Sequence, residues 1–359
     1  MFRPTRYLTW ARRFYGQVPF DLATSGMAII SRDELGAPSI ALDDPSGWAR
    51  LRNAIAGYNG VSADEAIATL GTTHALWLAY ATLLSPGDDV LVESPAYEPL
   101  VRTAEGLGAH VVHFERSAKD GYAIDPARVA AAITARTRVV AVTNLHNPSG
   151  VRTSDVVLRE LARIAESRGA YLLVDEVYAP FDDLTDASGV FHGSARKLGG
   201  NVVTTSSLTK CYGLGNERLG WMLAPADVIA RAEDAITASC GSLPLSHAHL
   251  GAHAFSRVVA LADRARGLLR GKRERVAAWV ASRPELTWSA PREGLFGLVT
   301  TSRAGDLTTL IERAAHDEGV LVAAGSFFGV PNGFRLAWSI ADDKLDEALA
   351  RLARVLPSA

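Results

Sequence analysis

Short runs of β-branched and other apolar residues recur along the first two thirds of the chain, separated by stretches of helical periodicity. The runs lie at 89–93, 110–114, 138–143, 171–175, 202–206 and 219–223, an alternation that predicts an α/β sheet. Several, such as VVAV at 139–142 and YLLV at 171–174, are apolar on both faces. Strands of that kind are covered by helices on each side, and the connections are long enough to hold those helices, so the sheet is expected to be largely parallel. Helices are predicted over 73–84, 97–107, 154–167 and 225–238, with Pro148, Gly169 and Gly199 punctuating their boundaries.

From 245 to 283 a mostly uninterrupted helical pattern rich in Ala, Leu and Arg leads out of the sheet region and reads as a bridge between two domains. Strand-like pieces at 295–300 and 334–339, with helices over 307–318 and 343–356, make a small α+β unit. The expected architecture is α/β: a large domain over 45–265, its mostly parallel sheet sandwiched by helices, and a smaller α+β domain built from 1–44 and 266–359.

Composition narrows the function. The 359 residues are 48% hydrophobic and 21% charged, as in ordinary globular proteins. Thirty-seven basic against 39 acidic residues leave a formal charge of −2, so no positive field is available for nucleic acid or an anionic membrane, and a small-molecule partner is favoured. The opening residues scatter arginines among aromatics without an apolar run of signal-peptide length, and no stretch reaches the roughly eighteen apolar residues of a membrane span, so a cytoplasmic protein is expected. Cys211 and Cys240 make neither a disulfide framework nor a zinc site.

Lysine is scarce: Lys119, Lys197, Lys210, Lys272 and Lys344 are the whole set. Lys210 alone follows a predicted strand, in Ser207-Leu208-Thr209-Lys210, where such sheets bind ligands. A lysine there forms an imine with an aldehyde if burial or nearby positive charge such as Arg218 eases loss of its proton. By itself the segment fits a surface turn equally well. Strand 171–175 ends in Asp175-Glu176-Val177-Tyr178, a carboxylate that needs a cationic partner; a protonated pyridine nitrogen is one such partner, a helix or turn cap the plainer reading. Strand 138–143 runs into Asn144-Leu145-His146-Asn147-Pro148-Ser149-Gly150, whose amide suits a phenolic oxygen. Gly71-Thr72-Thr73 opens a helix whose N-terminus suits a phosphate.

The set resembles the class I/II aminotransferases, the aspartate aminotransferase-like enzymes of fold type I that depend on pyridoxal 5′-phosphate. The segment 144–150 resembles their Asn-Pro-x-Asn-Pro-Ser/Thr-Gly motif, 175–178 their Asp-x-x-Tyr, 207–220 their Ser-x-Ser/Thr-Lys with its downstream Arg and Gly, and 333–336 the segment bearing a carboxylate-binding arginine. The resemblance implies that Lys210 carries the cofactor as a Schiff base and shuttles a proton, that Asp175 pairs with the pyridine nitrogen, and that Asn147 and Tyr178 hydrogen-bond the ring 3-oxygen. It also implies that Tyr97 stacks on the ring, that Ser207, Arg218, Thr72 and Thr73 hold the phosphate, and that Arg335 takes the substrate carboxylate, with a homodimer as the working unit. An arginine in that position also fits a surface ion pair.

Contributors to substrate recognition are expected among Ser25-Gly26-Met27, Trp48, His146 and Phe327-Phe328, with Asn147 beside Arg335; His146 either faces substrate or is locally hydrogen-bonded. Cys211 reads as a packed residue. The segment 42–48 lacks the tyrosine that many relatives lend to the neighbouring subunit's phosphate. Amino-group transfer from an L-amino acid to a 2-oxo acid is the expected reaction; a lyase, cyclase or decarboxylase acting on a specialised amino acid is the alternative. An effector domain of a transcription regulator is disfavoured because the motifs begin too early to leave room for a DNA-binding domain.

Overall fold

Seven strands form the central sheet: β1 (Ala66–Leu70), β2 (Asp89–Ser94), β3 (His110–Glu115), β4 (Thr137–Thr143), β5 (Tyr171–Asp175), β6 (Val202–Ser207) and β7 (Leu219–Leu223). The structure is a computed structural model that describes residues 2–37, 43–181, 186–302 and 305–356. Strand order is β1-β7-β6-β5-β4-β2-β3. From β3 to β6 all pairings are parallel, while β7 runs antiparallel between β6 and β1.

The doubly apolar strands are buried on both sides, as their pattern requires. One face presents Val90, Val92, Val139, Ala141, Leu173 and Val203 to helices Gly71–Leu83, Glu98–Gly106 and Ala226–Cys240. The alternate residues Leu91, Val140, Val142, Leu172 and Val174 pack under Pro126–Ala132 and Asp155–Glu166. Each of these valines and leucines contributes about 1.5–3 kcal/mol on burial. Parallel strands send their carboxyl ends to one edge, and the last residues of β4, β5 and β6, namely Thr143, Asp175 and Ser207, therefore meet there.

Edge strand β1 is not signalled by the sequence, because Ala-Asp-Glu-Ala before Ile67 carries helix formers rather than β-branched residues. Helix Ser46–Asn59 is likewise unannounced. The expected single run over 245–283 is three helices, Leu245–Ser256, Val258–Leu269 and Lys272–Ala281. The second break falls at Gly271, whose φ of 72° ends one helix and re-aims the next.

A second core gathers Tyr7, Trp10 and Leu22 with Val276, Ile311, Phe334 and Leu349. Its framework is a four-stranded antiparallel sheet of Ala323–Ala324, Gly333–Ala337, Phe296–Thr301 and Leu286–Trp288, in that order. Phe20–Asp21 also pairs in parallel with Val320–Leu321, so residues near both ends of the chain share this packing. No described helix is long and apolar enough to cross a membrane.

Candidate active site

A cavity of about 410 Å³ opens at the carboxyl edge of the sheet. Of the residues singled out in the sequence, Thr72, Thr73, Tyr97, Asn147, Asp175, Tyr178, Lys210 and Arg218 line it. Ser207, Gly26 and Arg335 stand directly behind that lining and contact it. The Gly26 backbone packs on the Lys210 stem, so that a Cβ at residue 26 would lie 3.7 Å from Lys210 Cδ. Next to it, Met27 N–H donates to the Lys210 carbonyl at 2.9 Å.

Asp175 is 3% exposed and its Oδ1 accepts one hydrogen bond, from Val177 N–H at 3.1 Å. Burial pushes its carboxyl up to about 7, against the opposing effects of that bond and of Lys210. The Lys210 Nζ has no hydrogen-bond or ion-pair partner among the described residues. Burial, reinforced by the Arg335 and Arg218 guanidinium groups, brings its ammonium down to about 8, with Asp175 opposing. A buried carboxylate short of a cation and a lysine poised to lose its proton thus share one cavity.

An anion cradle lies at the start of helix Gly71–Leu83. Gly71 has φ +78°, a Cβ there would collide with the Arg218 guanidinium, and a Cβ on Gly220 would come within 2.5 Å of the Gly71 backbone. Glycine at both positions lets the helix start and β7 touch backbone to backbone. Thr72 Oγ1 donates to Ser207 Oγ at 2.8 Å, and Ser207 Oγ lies 2.6 Å from Thr209 Oγ1. Arg218 sits at φ 53°, a left-handed conformation that costs a non-glycine residue energy and marks functional sites. Among the described residues its guanidinium has no carboxylate partner, only a 3.4 Å bond to the Gly215 carbonyl. Hydroxyls, a free guanidinium and the positive end of a helix suit a phosphate.

Tyr178 packs edge-on against Phe296, ring centroids 4.7 Å apart, and its hydroxyl is 2.7 Å from Ser25 Oγ. Burial raises the phenols of both Tyr178 and Tyr97, so both stay protonated donors. Arg335 is 0% exposed, inside a strand and without any carboxylate partner among the described residues, which excludes the surface ion pair. Rings of Tyr7, Phe296 and Phe328 surround its guanidinium at 5.0–5.2 Å. Nη1 donates to Asn147 Oδ1 at 2.8 Å; Nη2 donates to the Tyr7 hydroxyl at 2.6 Å and the Ala23 carbonyl at 3.0 Å. Three of five donors are engaged, and Nε–H is buried without a partner.

Of the two readings of His146 the locally hydrogen-bonded one holds, and the expectation for Trp48 is corrected. His146 is 0% exposed and does not line the cavity: its Nε2 lies 2.9 Å from the Pro95 carbonyl and its Nδ1 2.6 Å from Ser149 Oγ. The carbonyl accepts only from a protonated Nε2; burial, with Arg116 nearby, holds the ring's basicity well below the usual histidine range, so the ring is neutral and Ser149 donates to Nδ1. Trp48 faces a different cavity, with Ile67 and Ile236, and donates to the Leu243 carbonyl at 3.1 Å. Phe328 acts one layer back, in the Arg335 cage. Cys211 is packed, its thiol pushed well up by burial. Of the segment 42–48, Leu42 lies outside the described residues; Asp44 in the remainder is held by Ser46 and Arg50.

Sequence reasoning missed Leu8, Arg12 and Tyr15, which line the cavity from the amino-terminal segment, and Thr143. The alternation of arginines and aromatics at 6–15 was a signal that this segment approaches a charged site.

A lysine of lowered basicity, a buried carboxylate and an anion cradle together define an enzyme that works through an aldehyde cofactor carrying a phosphate. Residues 41–352 match the model of the class I and II aminotransferases, and the chain belongs to that family. It is 31% identical to the capreomycidine synthase of Streptomyces vinaceus over 97% of this chain and 92% of that one. Among solved structures, a double mutant of Thermus thermophilus aspartate aminotransferase superposes with a TM-score of 0.83 at 27% identity, covering 98% of this chain and 95% of that one. The pyridoxal phosphate-dependent cyclase OrfR superposes with a TM-score of 0.86 at 26% identity, covering 99% and 97%. The fold is that of the aspartate aminotransferases, and the cofactor is pyridoxal 5′-phosphate.

Proposed function

We propose that this enzyme moves an amino group from an L-amino acid to a 2-oxo acid, with Lys210 as the cofactor-binding and proton-transferring residue. The observation that carries the reading is the pairing, in one cavity, of Lys210 brought down to about 8 with Asp175 pushed up to about 7. When bound, pyridoxal phosphate supplies an electron sink for the bonds at the substrate α-carbon.

The protein's own residues do the rest. Arg218, Thr72, Thr73 and Ser207 hold the phosphate, and Asp175 holds a proton on the pyridine nitrogen. Tyr97 would cover one face of the ring, and Asn147 and Tyr178 would donate to its 3-oxygen. Arg335 offers its remaining N–H groups to the substrate carboxylate beside Asn147 and Gly26, and Lys210 Nζ takes the α-proton and returns one. Residues 45–265 serve as the cofactor domain, and 1–44 with 266–359 as the domain that carries Arg335. A cytoplasmic homodimer is part of the reading; the partly exposed Trp48 over an apolar groove of about 470 Å³ supports a partner surface.

The second reading keeps every residue role and changes the product. The likeness to capreomycidine synthase and to the cyclase OrfR over nearly the whole chain favours it: after α-proton removal the same site allows elimination or ring closure. Mixing the holoenzyme with single amino acids, without a 2-oxo acid, separates the two. Transamination leaves the amino group on the cofactor and releases one equivalent of 2-oxo acid. Ammonia, carbon dioxide or a ring-closed product from every competent amino acid contradicts it.

A further inference from the structure

At the rear of the site, β2 and the residue that follows β3 carry a buried charged pair that the reaction outlined above leaves unused. Glu93 and Arg116 have fully buried side chains and pair at 2.7 Å. Arg116 also donates from Nε to the Tyr122 carbonyl at 2.7 Å and from Nη2 to Thr153 Oγ1 at 3.3 Å. Burying two charges is costly unless their remaining donors and acceptors are met, and here they are met by Tyr122, by Thr143 at the end of β4 and by Thr153 in the loop that carries Asn147. Glu93 Oε1 accepts both the N–H of Thr143, at 2.7 Å, and its hydroxyl, at 2.6 Å. With that proton committed to a carboxylate, Thr143 Oγ1 is left as an acceptor, and it accepts Asn147 N–H at 2.8 Å.

Asn147 is thereby held from two sides. Its backbone is tied through Thr143 to Glu93, and its Oδ1 receives Arg335 Nη1 at 2.8 Å. The group left for the cavity is its NH₂. Asn144 clips the far side of the same loop, accepting from Thr153 N–H at 3.0 Å and donating to its carbonyl at 3.2 Å.

We propose that Thr143, locked by the buried Glu93–Arg116 pair, is a positioning residue that aims the Asn147 NH₂ at the cofactor's 3-oxygen. The proposal rests on the role given to Asn147 above. A donor to that oxygen stabilises the negative charge it carries once the Lys210–cofactor linkage has lost its proton. Slackening the donor therefore raises the pH at which the linkage titrates.

The test uses the holoenzyme and reads the visible absorption of the linkage against pH, without substrate. Thr143→Val removes the hydroxyl but no charge, and substitutes none of the groups around Lys210, namely Asp175, Arg218, Arg335, Tyr178 and Cys211. The midpoint is expected to rise by about one pH unit, the equivalent of one hydrogen bond. Thr143→Ser is expected to restore it, and in an Asn147→Ala background Thr143→Val is expected to add nothing further. Thr143→Ala removes the same hydroxyl without adding bulk and carries the test if the valine variant does not fold. An unmoved midpoint in the single variant, or a full shift that persists without the Asn147 amide, overturns the proposal. An unmoved midpoint in Asn147→Ala alone overturns instead the role assigned to Asn147.

Discussion

Arg335 donates to Asn147 Oδ1 across a separation of 188 residues, joining a strand of the smaller sheet to the loop that leaves β4. This bond orients the amide and leaves the buried guanidinium beside the cavity with no anion of its own. In the proposed reading, the substrate carboxylate is the anion that completes the arrangement. Arg335→Met is expected to raise KM for the amino acid about 100-fold, the loss of a charge-assisted contact worth roughly 3 kcal/mol. Cofactor affinity, measured by titrating the apoenzyme, is expected to change less than tenfold. A weakened cofactor with an unaltered KM would place Arg335 in the wrong role.

Asp175 makes a separate prediction about the cofactor-free protein. Its folded-state carboxyl titrates near 7, above the ordinary unfolded value. Its contribution to stability is thus fully present below about 4 and is lost as the pH rises through 7. Asp175→Asn is expected to stabilise the apoenzyme at pH 8 by up to roughly 4 kcal/mol and to flatten that part of the pH dependence. Cofactor binding is expected to weaken in the same variant. Thermal melts of both apo forms from pH 4 to 8 check it.

The Gly71 position couples the proposed phosphate cradle to the backbone. Gly71→Ala is expected to displace Arg218 and weaken pyridoxal phosphate binding about 10- to 100-fold, since φ +78° is strained for alanine and its Cβ meets the guanidinium. Equilibrium titration of the apoenzyme reads this directly.

His146 is expected to act on stability and not on turnover. His146→Ala removes two buried hydrogen bonds and leaves a cavity, at a cost of about 2–4 kcal/mol. The pH profile of kcat/KM is expected to keep its shape, because the ring stays neutral through the physiological range. A lost limb near neutral pH would contradict the structural role.

The gathering of the residues proposed to hold the cofactor was legible in the sequence because each lies at a strand end: Asp175 closes β5, Ser207 closes β6, and Asn147 follows β4. Doubly apolar strands such as Tyr171–Asp175 also announce their own covering helices. The substrate side was not legible in the same way. The cage of Tyr7, Phe296 and Phe328 around Arg335, and the clamp from Glu93 to Thr143, are tertiary contacts between residues whose local patterns read only as core. His146 was ambiguous because burial, which decides its role, depends on Pro95 and Tyr122 packing over it. The break at Gly271 was hidden by the helix-forming residues on both sides of it.

The central claim is that Lys210 carries the cofactor. Reducing the holoenzyme with borohydride and mapping its peptides by mass spectrometry tests this directly, since reduction makes the lysine linkage permanent. The pyridoxyl mass is expected on Lys210 and on none of the other four lysines. Its appearance on a different lysine, or its absence from an enzyme that still turns over, would contradict the account.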